Sequence, residues 1–198
     1  MNHLVVGSEG EAGKCIVQFL EEREKVGKID IKITFPLETR NNKFTFMHIC
    51  IPYSDEFIDI VKDYSKIFNP EHIIIYSTVA PGTTTSIGDN AVHSPIEGRH
   101  PHLIDAFKTF TRFVGGKNSQ LVGKYFSNRD LQVQTFDKAE ITELGKLFSS
   151  LRYGLNLVLA QEEKQICDIL GVKFEDVVLS YQQMYNKGYM KTQYIQSI

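Results

Sequence analysis

The chain lacks tryptophan, holds three cysteines in 198 residues, and carries no apolar run long enough to span a bilayer. Cys15, Cys50 and Cys167 are odd in number, form no Cys-x-x-Cys pair and sit in apolar stretches. That argues against a disulfide framework and for buried free thiols in a reducing cytoplasm. Charge of one sign is also lacking: 22 Lys and Arg face 24 Asp and Glu, for a net charge of -2. No basic field is therefore offered to nucleic acid or to an anionic membrane. The N-terminus enters an apolar run with no signal-peptide pattern, and there is no low-complexity tract and no repeat at solenoid periods. At 42% hydrophobic, the chain can bury one substantial core, or one domain with a helical appendage.

What is there begins at residue 4. The apolar run Leu4-Val5-Val6 stops at the turn Gly7-Ser8-Glu9-Gly10-Glu11-Ala12-Gly13, and a helical pattern (Cys15, Ile16, Phe19, Leu20) follows at once. A strand, a glycine-rich turn and a helix N-terminus in that order make a pyrophosphate site. Gly10 lets the backbone approach the ligand, Gly13 lets helix and strand pack, and Ser8 stands in the first glycine slot of Gly-x-Gly-x-x-Gly. A bare strand–helix turn is the bland alternative. A phosphate loop ending in Gly13-Lys14 fails at two positions, because Ser8 and Cys15 stand where glycine and a metal-binding hydroxyl are needed.

The segment Val26–Asp30 reads as a second strand. Asp30 falls 22 residues after Ser8, near the spacing at which an acid binds the adenosine ribose of NAD. A solvated acid at a strand end has the same spacing, so both readings stand. The stretch from Lys32 to Lys43 is polar and proline-broken, too short for another helix and strand. Phe44–Pro52 reads as a doubly covered parallel strand, Asp55–Phe68 as a helix capped by Ser54 or Asp55, and His72–Ser77 as another buried strand. Strand–helix alternation of this kind predicts a doubly wound α/β sheet with a ligand crevice at the strands' carboxyl ends. Pro52, Tyr53, Ser77 and Thr78 fall on that edge. Leu103–Phe110 reads as a helix, Thr111–Gly115 and Leu131–Phe136 as strands, and Ala139–Leu170 as a long helix stopped by Gly171. His93, His100 and His102 read as polar loop histidines, and no metal site is expected.

The hydroxyl-rich segment Ser77-Thr78-Val79-Ala80-Pro81-Gly82-Thr83-Thr84 resembles the Ser-Thr-Val-x-Pro-Gly-Thr-Thr of the NAD-dependent nucleotide-sugar dehydrogenases, the UDP-glucose/GDP-mannose dehydrogenase group. The likeness continues in Ser94-Pro95-Ile96-Glu97, where Ile96 holds the usual acid position and Glu97 comes one residue late. Glu143-Leu144-Gly145-Lys146-Leu147 resembles the family's Glu-x-x-Lys-Leu, with Ser150 in the place of its asparagine. Asn156–Glu162 is similar to a further family run, so the resemblance extends from about Leu4 to Val178.

The resemblance implies a Rossmann-type NAD-binding domain over residues 1–138 and a helical dimerisation segment over 139–198. It implies NAD as cofactor, bound by Gly7, Ser8, Gly10, Glu11, Ala12, Gly13, Asp30, Pro52, Tyr53, Ser77 and Thr78. Lys146 is expected to stabilise charge on the substrate oxygen, Ser150 to hold a water one helical turn away, and Glu97 to orient a water or hydroxyl. A small-molecule substrate of the nucleotide-sugar kind, a cytoplasmic location and a homodimer built on Ala139–Leu170 complete the expectation. The family's Gly-Gly-x-Cys nucleophile is not matched by Cys15, Cys50 or Cys167, which points to a fragment or a short relative, and to one two-electron oxidation without onward formation of an acid. A non-catalytic cofactor-binding or dimerisation module is the alternative.

Overall fold

A computed structural model describes residues 2–30, 43–98 and 101–192, with side chains to residue 189. Seven strands form one sheet in the order β2-β1-β3-β4-β5-β6-β7: β1 His3–Val6, β2 Val26–Ile29, β3 Phe46–Ile49, β4 His72–Ile75, β5 Ala91–His93, β6 Arg112–Gly115 and β7 Val133–Phe136. All neighbours pair parallel except β5 and β6, which meet at His93 and Gly115. The chain therefore has the doubly wound α/β, Rossmann-type fold expected.

The helices are α1 Glu11–Glu21, α2 Phe57–Phe68, α3 Thr83–Ile87, α4 Leu103–Thr109, α5 Ser119–Ser127, α6 Ala139–Leu170 and α7 Ser180–Thr192. Strands β1, β3 and β4 are buried on both faces, which is why they read as nearly continuous apolar runs. One core holds Val5, Ile16, Leu20, Phe46, Ile74 and Phe107; the other holds Leu4, Met47, Ile49, Phe57, Val61 and Ile75. Ile16 is fully buried, and its truncation to alanine would cost about 2–5 kcal/mol.

Several local expectations are corrected. Helix α2 starts at Phe57 with Glu56 at its N-cap and no side-chain cap bond, so neither Ser54 nor Asp55 caps it by its side chain. Instead, the Ser54 carbonyl accepts the Phe57 N–H at 3.1 Å. His93 is not a loop residue but the buried end of β5. The end of the Ser77–Thr84 segment opens the short helix α3. Beyond Gly171, whose φ of +68° ends α6, a π-turn (Glu175–Leu179) leads into α7. Most of the Lys32–Lys43 segment, and His100, lie outside the described residues.

The chain divides into two compact units, Met1–Leu147 and Phe148–Ile198. The first contains the whole sheet. In the second, Phe148, Leu151, Leu155, Ile166 and Ile169 are exposed on α6, while Cys167 is buried. No helix among the described residues is long and apolar enough to cross a membrane.

Candidate functional site

Strand register brings the expected positions to one edge. Ile29, Val6, Ile49, Ile75 and His93 form a row across β2, β1, β3, β4 and β5 at the carboxyl ends of these strands. The segments leaving these strands therefore meet there: Asp30, the turn Gly7–Gly13, Cys50–Tyr53, Ser77–Thr84 and Ser94–Glu97. Between β1 and β3 the strand order reverses, which opens a ligand crevice in folds of this kind.

The turn after β1 separates its glycines by cause. Gly7 has a φ of +84°, and a Cβ there would lie 2.7 Å from the Cys50 carbonyl oxygen. A Cβ on Gly13 would lie 1.9 Å from the Gly7 oxygen. Both positions are closed by the protein's own backbone. Gly10 differs: its φ of -72° suits any residue, and a Cβ would come no nearer than 3.5 Å to another atom. The Lys14 N–H bonds back to the Gly10 carbonyl at 2.8 Å, which leaves Ala12 and Gly13 with N–H groups that have no intrahelical acceptor. Glu11 is exposed at the start of α1. Ser8 is buried, yet its hydroxyl has no hydrogen-bond partner among the described residues. A turn with an uncrowded Gly10, open helix N–H groups and an orphaned hydroxyl fits a dinucleotide's pyrophosphate.

Asp30 is not simply solvated, because its Oδ2 accepts the Glu9 N–H at 3.0 Å and is thereby tied to the glycine turn. Pro52 and Tyr53 are exposed past β3, with the Tyr53 ring 5.5 Å from that of Phe57. The Ser77 hydroxyl donates to the Ile51 carbonyl at 2.5 Å, so it braces two loops. Thr78, the next residue, is exposed.

On the other side of the edge, Lys146 of α6 donates to the Ile96 carbonyl at 2.9 Å and to Glu97 Oε2 at 3.2 Å. The resemblance named the two residues separately, and their side chains are in contact. His93 Nε2 lies 3.1 Å from the Ser77 carbonyl, which only accepts, so that nitrogen carries the proton. Its Nδ1 meets the Thr142 hydroxyl at 2.9 Å. Burial lowers the His93 pKa to about 4, so the ring is neutral near neutral pH. Ser150 is exposed and lies in the second unit.

Three contributors escaped the sequence reading. Glu143, fully buried, accepts the Gly82 N–H at 2.7 Å and the Thr84 N–H at 2.8 Å. Thr142 holds His93. Buried Arg112 donates to the carbonyls of Ser94 (2.8 Å) and Pro95 (2.6 Å), with its guanidinium 4.3 Å from the centre of the Phe107 ring. Burial brings its pKa down to about 10, so it stays charged. Glu143 stood inside the Glu-x-x-Lys pattern and was legible there; an arginine within a short strand gives no such signal.

Among the described residues, no group of three or more His, Cys, Asp or Glu side chains is arranged to hold a metal ion. Burial pushes the Cys15 thiol up to about 11 and raises Cys50 further, so neither is a ready nucleophile.

No protein-family model matches the sequence, and no curated protein matches it. Solved structures do match the fold. A UDP-D-ManNAc dehydrogenase from Pyrococcus horikoshii superposes with a TM-score of 0.76 at 16% identity, over 92% of this chain and 58% of its own. A GDP-mannose dehydrogenase from Pseudomonas aeruginosa gives 0.74 at 14% identity, over 92% and 57%. A 3-hydroxyisobutyrate dehydrogenase from Mycobacterium tuberculosis gives 0.68 at 14% identity, over 87% and 66%. The chain thus spans less than two thirds of the length of each of these proteins. At such identities the likeness is one of architecture, and the chain has the doubly wound α/β fold that nucleotide-sugar dehydrogenases share with other dehydrogenases.

Proposed function

We propose that this chain binds NAD(H) across the carboxyl ends of β1 to β4 and belongs to an oxidoreductase that removes a hydride from a CH–OH carbon. The observation that carries the reading is Gly10, the fingerprint glycine that the protein's own packing does not require. A glycine where the fold has room leaves space for a ligand to come close. Gly7 and Gly13 shape the turn, Ala12 and Gly13 offer N–H groups beside Glu11, and the Ser8 hydroxyl is a further donor to phosphate. Asp30 is the ribose-binding acid, held by Glu9, and its charge disfavours the extra phosphate of NADP. Pro52, Tyr53, Ser77 and Thr78 border the crevice.

NAD, when bound, accepts the hydride. Lys146 meets the substrate oxygen: of the three donors on its ammonium, Ile96 and Glu97 occupy two and one remains. Glu97 keeps that ammonium in place and orients a hydroxyl or water, and Ser150 holds a water. A nucleotide sugar is the substrate class suggested by the UDP-sugar and GDP-mannose dehydrogenases of like fold. Residues 1–138 form the cofactor domain and 139–198 the dimerisation segment. The apolar side chains exposed on α6 support a homodimer, and three free cysteines support a reducing cytoplasm.

Fluorescence titration with NADH and NADPH tests the reading. We expect NADH to saturate below millimolar concentration, ahead of NADPH, and Gly10→Ala to weaken it at least tenfold while the protein stays folded. Binding of neither cofactor at millimolar concentration overturns it. A non-catalytic cofactor-binding module is the second reading, favoured by isoleucine at position 96 and by serine at position 150. Lys146-dependent NADH production from UDP-sugars, GDP-mannose or small hydroxy acids eliminates that alternative.

A further inference from the structure

The segment between β4 and α3 is fastened at both ends, and the second fastening is unusual. At its start, the Ser77 hydroxyl holds the Ile51 carbonyl and the Ser77 carbonyl accepts from His93. At its end, no side chain of the loop caps α3; instead, both carboxylate oxygens of Glu143 accept backbone N–H groups, from Gly82 and Thr84. A carboxylate removed from water is costly unless it is well hydrogen-bonded, and both of its oxygens are used here on one short loop. Gly82 turns through a φ of +87°, Thr83 and Thr84 are buried, and Val79 anchors the middle in the core. Thr78 is left exposed between the fastenings, at the edge of the crevice.

We infer that Glu143 is a positioning residue for the cofactor: by gripping the Gly82 and Thr84 amides it fixes the Ser77–Thr84 loop in the shape that presents Thr78 and its neighbours to the dinucleotide. The inference rests on the NAD(H)-binding reading above. It assigns to Glu143 a role distinct from that of Lys146, one helical turn on, which holds a different loop through Ile96 and Glu97. Glu143 touches no reacting atom.

The test uses the full chain and the variant Glu143→Gln, which keeps size but places an NH2 group against one of the two N–H donors. NADH affinity is measured by fluorescence, amide exchange at Gly82 and Thr84 by mass spectrometry or NMR, and stability by thermal melting. Exchange at the two amides is expected to rise at least tenfold and NADH affinity to fall at least tenfold at a temperature where the variant is folded. Val122→Ala in α5, a buried change away from the loop, should lower the melting temperature and leave NADH affinity within twofold. Wild-type affinity in folded Glu143→Gln, or unchanged amide exchange, overturns the inference. Should Glu143→Gln fail to fold, Gly82→Ala serves: its side chain meets open space and it alters the loop through φ alone. Unchanged affinity there overturns the inference as well. Failure of the wild type to bind any dinucleotide defeats the functional reading itself and the inference with it, an outcome visible before any variant is made.

Discussion

Lys146 is tethered to Glu97: its ammonium nitrogen lies 3.2 Å from the carboxylate, with the two side chains 14% and 28% exposed. Such a pair holds a cation still without burying it, so the ammonium is pre-oriented and still accessible. A lysine arranged this way can stabilise an oxygen that gains negative charge as the neighbouring C–H bond breaks.

Removal of the lysine should therefore cost chemistry and not cofactor binding. On a substrate identified by screening UDP-sugars, GDP-mannose and small hydroxy acids, Lys146→Ala should lower kcat roughly a hundredfold or more. NADH affinity should stay within about twofold by titration. Survival of turnover would remove Lys146 from the mechanism. A product carrying a carboxylate, with two NADH formed per substrate, would refute a single two-electron step.

The glycines of the turn should part company in stability measurements. Gly13→Ala forces a methyl against the Gly7 carbonyl, with backbone on both sides of the contact and nothing flexible to move. Overpacking of this severity costs about 3 kcal/mol or more, or a melting temperature lower by about 6–12 °C. Gly10→Ala meets no such contact and should cost less than about 1 kcal/mol, the worth of an N-cap preference. Thermal melting of the two variants side by side checks this, and equal losses would remove the distinction on which the cofactor reading rests.

The turn, the sheet and α6 were legible because each is written in local periodicity: a strand, glycines, then apolar residues at helical spacing. His93 was misread as a loop residue because β5 has three residues and touches β6 at a single pair, too little for an alternating pattern to emerge. Ser54 and Asp55 were plausible caps by residue type, but the chain satisfies the first turn of α2 through the Ser54 carbonyl instead. Glu143 was marked by the Glu-x-x-Lys pattern, but its partners, like those of Thr142 and Arg112, lie 17 to 61 residues away in sequence, beyond the reach of any local pattern.

Assembly gives a third prediction. In the second unit, Phe148, Leu151, Leu155, Ile166 and Ile169 are more than half exposed, with Ile169 at 83%. Apolar surface repeated along one helix favours association through burial of that surface. Analytical ultracentrifugation at micromolar concentration should give a dimer, and Leu155→Asp should shift it toward monomer. A wild-type monomer under those conditions refutes the homodimer.

The last prediction concerns acid. Tyr76 lies 3.0 Å from His48 Nδ1, His48 Nε2 lies 2.9 Å from His3 Nδ1, and His3 Nε2 contacts Glu24. Because the Glu24 carboxylate accepts, His3 Nε2 carries a proton, His48 Nε2 donates to His3, and Tyr76 donates to His48. The chain is complete with both rings neutral. Burial lowers His3 to about 4, against the pull of Glu24, and holds His48 well below 6.5; His93 is likewise brought to about 4 by burial. In the unfolded chain these histidines titrate near 6.5. Between about pH 4 and 6.5 the unfolded state therefore binds more protons than the native one, and stability rises with pH across that window. The contribution is fully present above about pH 6.5 and is lost as pH falls toward 4. Its size is on the order of several kcal/mol, because each tenfold loss of proton affinity on folding is worth about 1.4 kcal/mol. Guanidinium denaturation at steps from pH 7 to pH 4.5 should give steadily lower midpoints. His93→Gln, which keeps a donor for the Ser77 carbonyl but cannot titrate, should flatten the profile by one site's share. A midpoint that does not move between pH 7 and 4.5 would show that these rings are not held neutral by the fold.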